Sequence, residues 1–271
     1  MKRASYVIVG ALALGLIGAA WLWQHAPAPT PPTAPPPVAV PPPPAVPAPS
    51  EPTVKHPVDV PVAPGPSAAP LDVDAALTEL FGRKTVLSMF QLQDFPRRFV
   101  ATVDNLGRSR APAGLWPVNP AAGAFTVERQ DGVDVISADN GLRYTPYVLL
   151  IETVDLRQAV AVYARLYPLL QQAYEDIGYP KRYFNDRLVE VIDQLLATPE
   201  VSGPLEVHLP TIKGPMQPAR SWVLYEFDDP ALQSLSAGQK ILLRMGPVNE
   251  RRMKAKLAEI RRLVTAETVR R

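Results

Sequence analysis

Residues 155–180 read DLRQAVAVYARLYPLLQQAYEDIGYP, and this stretch decides the fold. Asp155 is of the residue type whose side chain accepts from the free amides of a first helical turn. Beyond it, Tyr163, Tyr167 and Tyr174 recur at spacings of four and seven, which puts them on one face of an α-helix. Such a face is ordinarily core. Gly178 supplies the turn that ends helices, and Pro180 cannot continue one. The spacing predicts one long helix over 156–177 and, with it, a mainly helical domain.

Toward the N-terminus, Thr145-Pro146 opens another helix. Asp131-Gly132 lies between Phe125-Thr126-Val127-Glu128 and Val133-Asp134-Val135-Ile136, a two-residue hairpin signal. Residues 115–123 are rich in proline and glycine. Asp94-Phe95-Pro96 carries a capping aspartate and an early proline, with Gly107 as the stop. Asp72 or Asp74 caps a first helix that stops near Gly82, and residues 85–92 continue in helical period. Toward the C-terminus, residues 185–196 form a helix closed by Thr198-Pro199, and strands are expected over 205–209 and 222–227. Ser236-Ala237-Gly238-Gln239 is a capping box, and Pro247 opens a basic amphipathic helix after Gly246. The expectation is a mainly α (α+β) domain of about seven helices with a small antiparallel hairpin or sheet.

Ahead of that domain the composition changes. Residues 4–23 are uncharged and, at about 1.5 Å per residue, long enough to cross a bilayer core. Lys2 and Arg3 precede them, no further Lys or Arg occurs until Lys55, and Trp21 and Trp23 stand where an aromatic belt meets the headgroups. A cleaved signal peptide shares the basic start, but its apolar run is shorter, and the cleavage site on offer, Ala26-Pro27-Ala28, runs into prolines. The reading is one retained transmembrane helix of a bacterial inner membrane, with a cytoplasmic N-terminus and a periplasmic C-terminal domain. Of the 33 prolines, 19 lie between Pro27 and Pro70. That composition favours polyproline II and cannot bury a core, so it makes a spacer reaching on the order of 140 Å when extended. The expected division is 1–25 cytoplasmic tip and anchor, 26–70 linker, and 71–271 globular domain.

The domain's charges nearly cancel. Removing Lys2, Arg3 and Lys55 from the 28 basic residues, and Glu51 and Asp59 from the 26 acidic ones, leaves 25 against 24. That balance speaks against a nucleic-acid partner. The absence of cysteine excludes disulfides and thiolate sites. No phosphate-binding, dinucleotide-binding or zinc-protease motif is present, so neither cofactor nor metal is expected. His208 is the domain's only histidine, and strand alternation sets it opposite Val207 and Leu209, a solvent-facing place. Glu226, Asp228 and Asp229 cluster at a strand end, where an aspartate ahead of Pro230 is better read as a cap. The basic run 251–256 with Arg261 and Arg262 has an apolar face at Leu257, Ile260, Leu263 and Val264, and reads as the solvated side of a packed helix.

One constellation remains as a candidate binding site, and no catalytic residue is assigned. Arg97, Arg98, Asp104 and Asn105 share one expected helix, and Arg143, Tyr144 and Tyr147 stand at the start of another. If those ends meet, guanidinium forks and phenols line a polar groove able to grip carboxylates or sugars. The alternative for the same residues is an interhelical ion-pair network.

Several stretches also carry a resemblance. They are Thr102-Val103-Asp104-Asn105-Leu106, Arg143-Tyr144, Tyr167-Pro168-Leu169 through Ala173-Tyr174, Gly178-Tyr179-Pro180, Phe184-Asn185-Asp186-Arg187-Leu188, and the run 239–247 from Gln239 to Pro247. Over residues 71–264 the chain resembles a family of membrane-anchored proteins of Gram-negative bacteria known only as a domain of unknown function, which implies membership and no activity. The order of anchor, proline-rich stalk and domain is also similar to that of energy-transducing and cell-wall-binding proteins. The expected function is a non-enzymatic binding or scaffold protein of the cell envelope, with an envelope protein or peptidoglycan as partner. Two alternatives are an assembly module and a carboxylate-dependent hydrolase or lyase acting on a wall glycan or peptide, with Glu152, Glu226 and Asp228 as its acids.

Overall fold

A computed structural model describes residues 53–60, 72–211 and 221–266, all within the compact unit Glu51–Arg271. The expected anchor at 4–23 and most of the proline-rich stretch lie outside the described residues. Among the described residues no helix is long and apolar enough to cross a membrane.

The domain is mainly helical, with nine α-helices among the described residues where the sequence suggests about seven. Two local signals account for the difference. Helix α1 (Val73–Phe81) starts at Asp72, which accepts from the amides of Asp74 and Ala75, and it ends at Gly82. At φ +78° Gly82 turns the chain straight into α2 (Arg83–Met89), so one expected run becomes two helices. A four-residue helix also forms over Pro230–Gln233, where the Asp229 carboxylate accepts from the amide of Ala231; it is α7 below.

Helix α3 (Phe95–Leu106) begins where expected, but its cap differs. Asp94 sits at φ 57°, ψ 34°, and its side chain makes no capping bond. A capping side chain needs extended backbone to swing over the first turn, and the left-handed conformation turns it away. Helix α4 (Thr145–Thr153) follows a 3-10 stretch, Ala138–Tyr144. The Asp155 cap of α5 (Leu156–Asp176) is present, and Gly178 at φ +115° follows it. Helix α6 is Phe184–Leu196, α8 (Ala237–Arg244) has the Ser236–Gln239 capping box, and α9 is Gly246–Ala266.

The β structure is small. Strands β1 (Val127–Gln130) and β2 (Val133–Ile136) form the hairpin, with Asp131 and Gly132 both at positive φ as a two-residue turn requires. Strands β3 (Val207–His208) and β4 (Glu226–Phe227) pair antiparallel, and a Val135–Glu206 bridge links the two ladders. Both are shorter than expected, and Trp222 falls in a 3-10 turn, Ser221–Val223.

The main core lies where α3, α5, α6 and α8 meet: Val100 and Val103, then Leu166, Leu170 and Tyr174, then Phe184, Val191 and Leu195, then Leu242. Burying each such side chain is worth about 1.5–3 kcal/mol. Helix α8 approaches closely because residue 238 is glycine: a Cβ there would meet the Leu195 side chain and stand 3.1 Å from the Leu106 carbonyl oxygen. Helix α9 then packs along α6 and against α4, α5 and α8. The C-terminal end of α3 and the start of α6 are thereby fixed side by side.

Candidate functional site

The first turn of α6 reads Phe184-Asn185-Asp186-Arg187, and each residue has a different task. Phe184 is fully buried, edge-on to Phe99 and tilted against Tyr174, which seats the helix start in the core. Asn185 is also fully buried. Its Oδ1 accepts from the Tyr163 hydroxyl at 2.9 Å, and its Nδ2 donates to the carbonyls of His56 at 2.9 Å and Val264 at 3.4 Å. Burial holds the Tyr163 phenol well above its usual range. The Asp186 carboxylate accepts from the backbone amides of Lys55 and His56.

Arg187 reaches the other way, to α3. Its Nε donates to Asp104 Oδ1 at 3.0 Å, its Nη2 to the Asp104 carbonyl at 3.1 Å, and its Nη1 stands 3.0 Å from Glu190. Asp104 is only 5 % exposed, so it depends on these partners, which also include Arg108 at 2.7 Å and the Tyr179 hydroxyl at 3.3 Å. Burial pulls the Arg187 pKa down, but Glu190 and Asp104 more than offset it, leaving it raised. Gly107 makes room: a Cβ at 107 would lie 2.8 Å from Arg187 Nη2.

Around this pair opens a cavity of about 650 Å³, lined among others by Asp104, Arg108, Tyr179, Arg182, Asp186 and Arg187. Tyr174 forms part of its floor and stacks on Tyr179 at 4.5 Å between ring centroids, with the Arg182 guanidinium 5.9 Å from the Tyr179 ring. The Tyr174 phenol is pushed up to about 12, by burial and then by the Asp104 charge. Glu190 and Asp193 also line the cavity; Arg261 donates to Asp193 and holds its carboxyl below the usual range. Every carboxylate of the cavity is thus already engaged by a guanidinium or by backbone amides. Tyrosine faces and forked donors are groups chemically able to stack with and hydrogen-bond a polar group. Among the described residues no cluster of three or more metal-ligating side chains is placed to hold an ion.

Of the seven residues of the expected groove, Asp104 lines this cavity. Asn105 follows it with its carbonyl accepting from the Arg108 amide, and Arg97 is exposed. Arg98 donates through Nε to the Gln93 carbonyl at 2.9 Å and through Nη1 to the Gly114 carbonyl at 2.8 Å. Arg143 donates to the carbonyls of Ala122 and Gly123 at 3.0 and 3.2 Å and to Asn140 Oδ1, and it lies over the Tyr144 ring. The Tyr147 hydroxyl donates to the Asn119 carbonyl at 2.7 Å. Arg98 thus fastens one end of the proline- and glycine-rich loop 112–123, and Arg143 with Tyr147 fastens the other.

The acids of the hydrolase alternative stand apart from the cavity. Glu152 pairs with Arg252, and Asp228 pairs with the exposed His208. In the basic C-terminal run, Lys254, Lys256 and Arg261 likewise have carboxylate partners in Glu250, Glu259 and Asp193. Asn185, Asp186 and Arg187 were not singled out as a site from the sequence. The available signal was three adjacent polar residues just after a buried aromatic at a helix start.

The family model described as a protein of unknown function (DUF3014) matches residues 95–261. The chain belongs to the DUF3014 family. That match runs from the start of α3 into α9, so Asp104 and the Asn185-Asp186-Arg187 turn lie within the DUF3014 region, whereas residues 53–60 lie outside it. No curated protein and no solved structure matches the chain.

Proposed function

We propose that this DUF3014 chain is a non-enzymatic binding protein of a Gram-negative cell envelope, anchored in the inner membrane by residues 4–23. Its N-terminus is cytoplasmic, its proline-rich segment is a spacer, and its helical domain is periplasmic. There it recognises an envelope protein or peptidoglycan through the cavity between α3 and α6. The anchor and its orientation are supported by the uncharged run, the basic residues ahead of it and the tryptophans at its end.

The observation that carries the binding reading is the cavity. It joins stacked tyrosines to arginines and to carboxylates that already have donors, a composition suited to hydrogen bonding and stacking with a polar ligand. The test is made on the full-length protein in Gram-negative cells. We expect it to stay with membranes after carbonate washing and to be digested by added protease only once the outer membrane is opened. Chemical crosslinking is expected to capture a defined envelope protein or wall fragment, and Tyr179→Ala with Arg182→Ala to lose it. A soluble cytoplasmic chain, or carboxylate-dependent turnover of wall polymer by the purified protein, overturns the reading.

A further inference from the structure

Residues 53–60 belong by composition to the spacer, yet they lie against the domain. Val54, His56 and Val58 are half-buried while Thr53, Lys55, Pro57 and Asp59 are exposed. Lys55 and His56 form a bend, and the bend turns their two successive amides toward the same carboxylate, that of Asp186. The segment's polar contacts are made by backbone. The amides of Lys55 and His56 donate to Asp186 Oδ2 at 3.1 Å and Oδ1 at 2.7 Å, and the His56 carbonyl accepts from Asn185 Nδ2. The Tyr163 hydroxyl, donating to Asn185 Oδ1, fixes that amide so that its N–H groups face His56.

The sequence agrees with this geometry. One carboxylate reading two successive amides requires that neither residue be proline, since proline has no N–H. Residues 53–56 are the longest proline-free run between Pro27 and Pro70, and Pro57 follows directly. Thr53, Lys55 and His56 also line the cavity, so the segment borders the site described above.

We propose that Asn185, Asp186 and the adjoining cavity form a peptide-recognition site, and that residues 53–60 are its internal occupant. The external ligand is a bent segment of a partner protein offering two successive backbone N–H groups to one carboxylate ahead of a proline. This rests on reading the domain as a binding module and names the chemistry of what it binds. Successive backbone N–H groups converging on a carboxylate give the affinity, and the side chains beside them give the selectivity. Joined to the domain by a short connection, the internal segment competes at an effective concentration on the order of millimolar. The site therefore binds such a segment with a Kd below about 1 mM, and a partner must exceed that competition to enter.

The test uses purified full-length chain and a labelled synthetic peptide of residues 51–60, followed by fluorescence anisotropy. In a Lys55→Pro, His56→Pro chain, whose segment has lost both donors, the peptide is expected to bind at least about twofold more tightly than to the natural chain, the competition factor being one plus the ratio of effective concentration to Kd. Adding Asp186→Asn should abolish the gain, and a peptide with proline at both donor positions should not bind. Because the proline variant risks misfolding, the natural chain gives a second readout: hydrogen exchange at the Lys55 and His56 amides should accelerate as unlabelled peptide is added in excess. Equal binding to both chains, binding indifferent to Asp186→Asn, or exchange unmoved by peptide overturns the proposal. Neither measurement depends on the anchor or the compartment, so capture of a partner in cells through Tyr179 and Arg182 would leave the broader binding reading standing if the peptide fails.

Discussion

Replacing Asp104 by leucine separates the architecture of the cavity from its surface chemistry. The Asp104 side chain is 7 % exposed, and its carboxylate accepts from Arg187, Arg108 and Tyr179. Arg187 is the partner that suffers, with a side chain only 16 % exposed, whereas Arg108 at 52 % can turn to water. Removing one member of a buried pair costs about 3–5 kcal/mol. Arg187 keeps its bond to the Asp104 carbonyl and its contact with Glu190, so the expected loss is about 2–4 kcal/mol. Urea unfolding of the purified chain reads this as a midpoint lowered by on the order of 1–2 M at an unchanged slope. The double variant Asp104→Leu, Arg187→Met removes the stranded charge and is expected to recover more than about 1 kcal/mol, because exchanging both partners for apolar groups can be nearly neutral. A single variant within about 0.5 kcal/mol of the natural protein, or a double variant as unstable as the single, would refute the reasoning.

Other perturbations test other joints. Gly238→Ala forces a Cβ onto the Leu195 side chain and to 3.1 Å from the Leu106 carbonyl, and thermal melting should show a loss of about 1–3 kcal/mol. The phenols of Tyr167 and Tyr174 are pushed up to about 12, burial being the first cause for each. Groups whose folded pKa is raised contribute stability below their unfolded value near 10 that is lost as pH climbs toward the folded one. Absorbance at phenolate wavelengths should therefore show these tyrosines silent until the chain unfolds above about pH 10. At the acid end, Glu152 is held low by its hydrogen bond from Arg252. Its contribution is present above the unfolded carboxylate pKa and lost as pH falls through the lowered one, so urea midpoints of natural and Glu152→Gln chains should converge as the pH is lowered.

Much of the helical layout was legible because it is written in local chemistry. Asp72, Asp155 and the Ser236–Gln239 box cap helices, Gly178 ends α5, and Asp131-Gly132 turns the hairpin. Asp94 misled because its residue type suits a cap while its backbone is left-handed, a property set by the chain it must join. The four-residue helix after Asp229 is too short to show periodicity at all. The site was legible only in part, at Asp104, because its other members act over long range. Asp186 meets amides 130 and 131 residues away, and Arg187 meets an aspartate 83 residues away. No spacing rule connects such positions. Arg98 and Arg143 were conspicuous as cations, but whether a guanidinium faces a ligand or a loop carbonyl depends on where the loop 112–123 runs.

The central claim, that the cavity between α3 and α6 is where a partner binds, is met most directly by site-specific photocrosslinking in living cells. A photoreactive residue is placed in the full-length chain at position 190, an exposed position on the cavity, or at position 129, on the exposed hairpin. A discrete adduct of defined mass is expected from position 190 and none from position 129. Adducts equal at both positions, or absent from position 190 while other faces of the domain yield them, would contradict the claim.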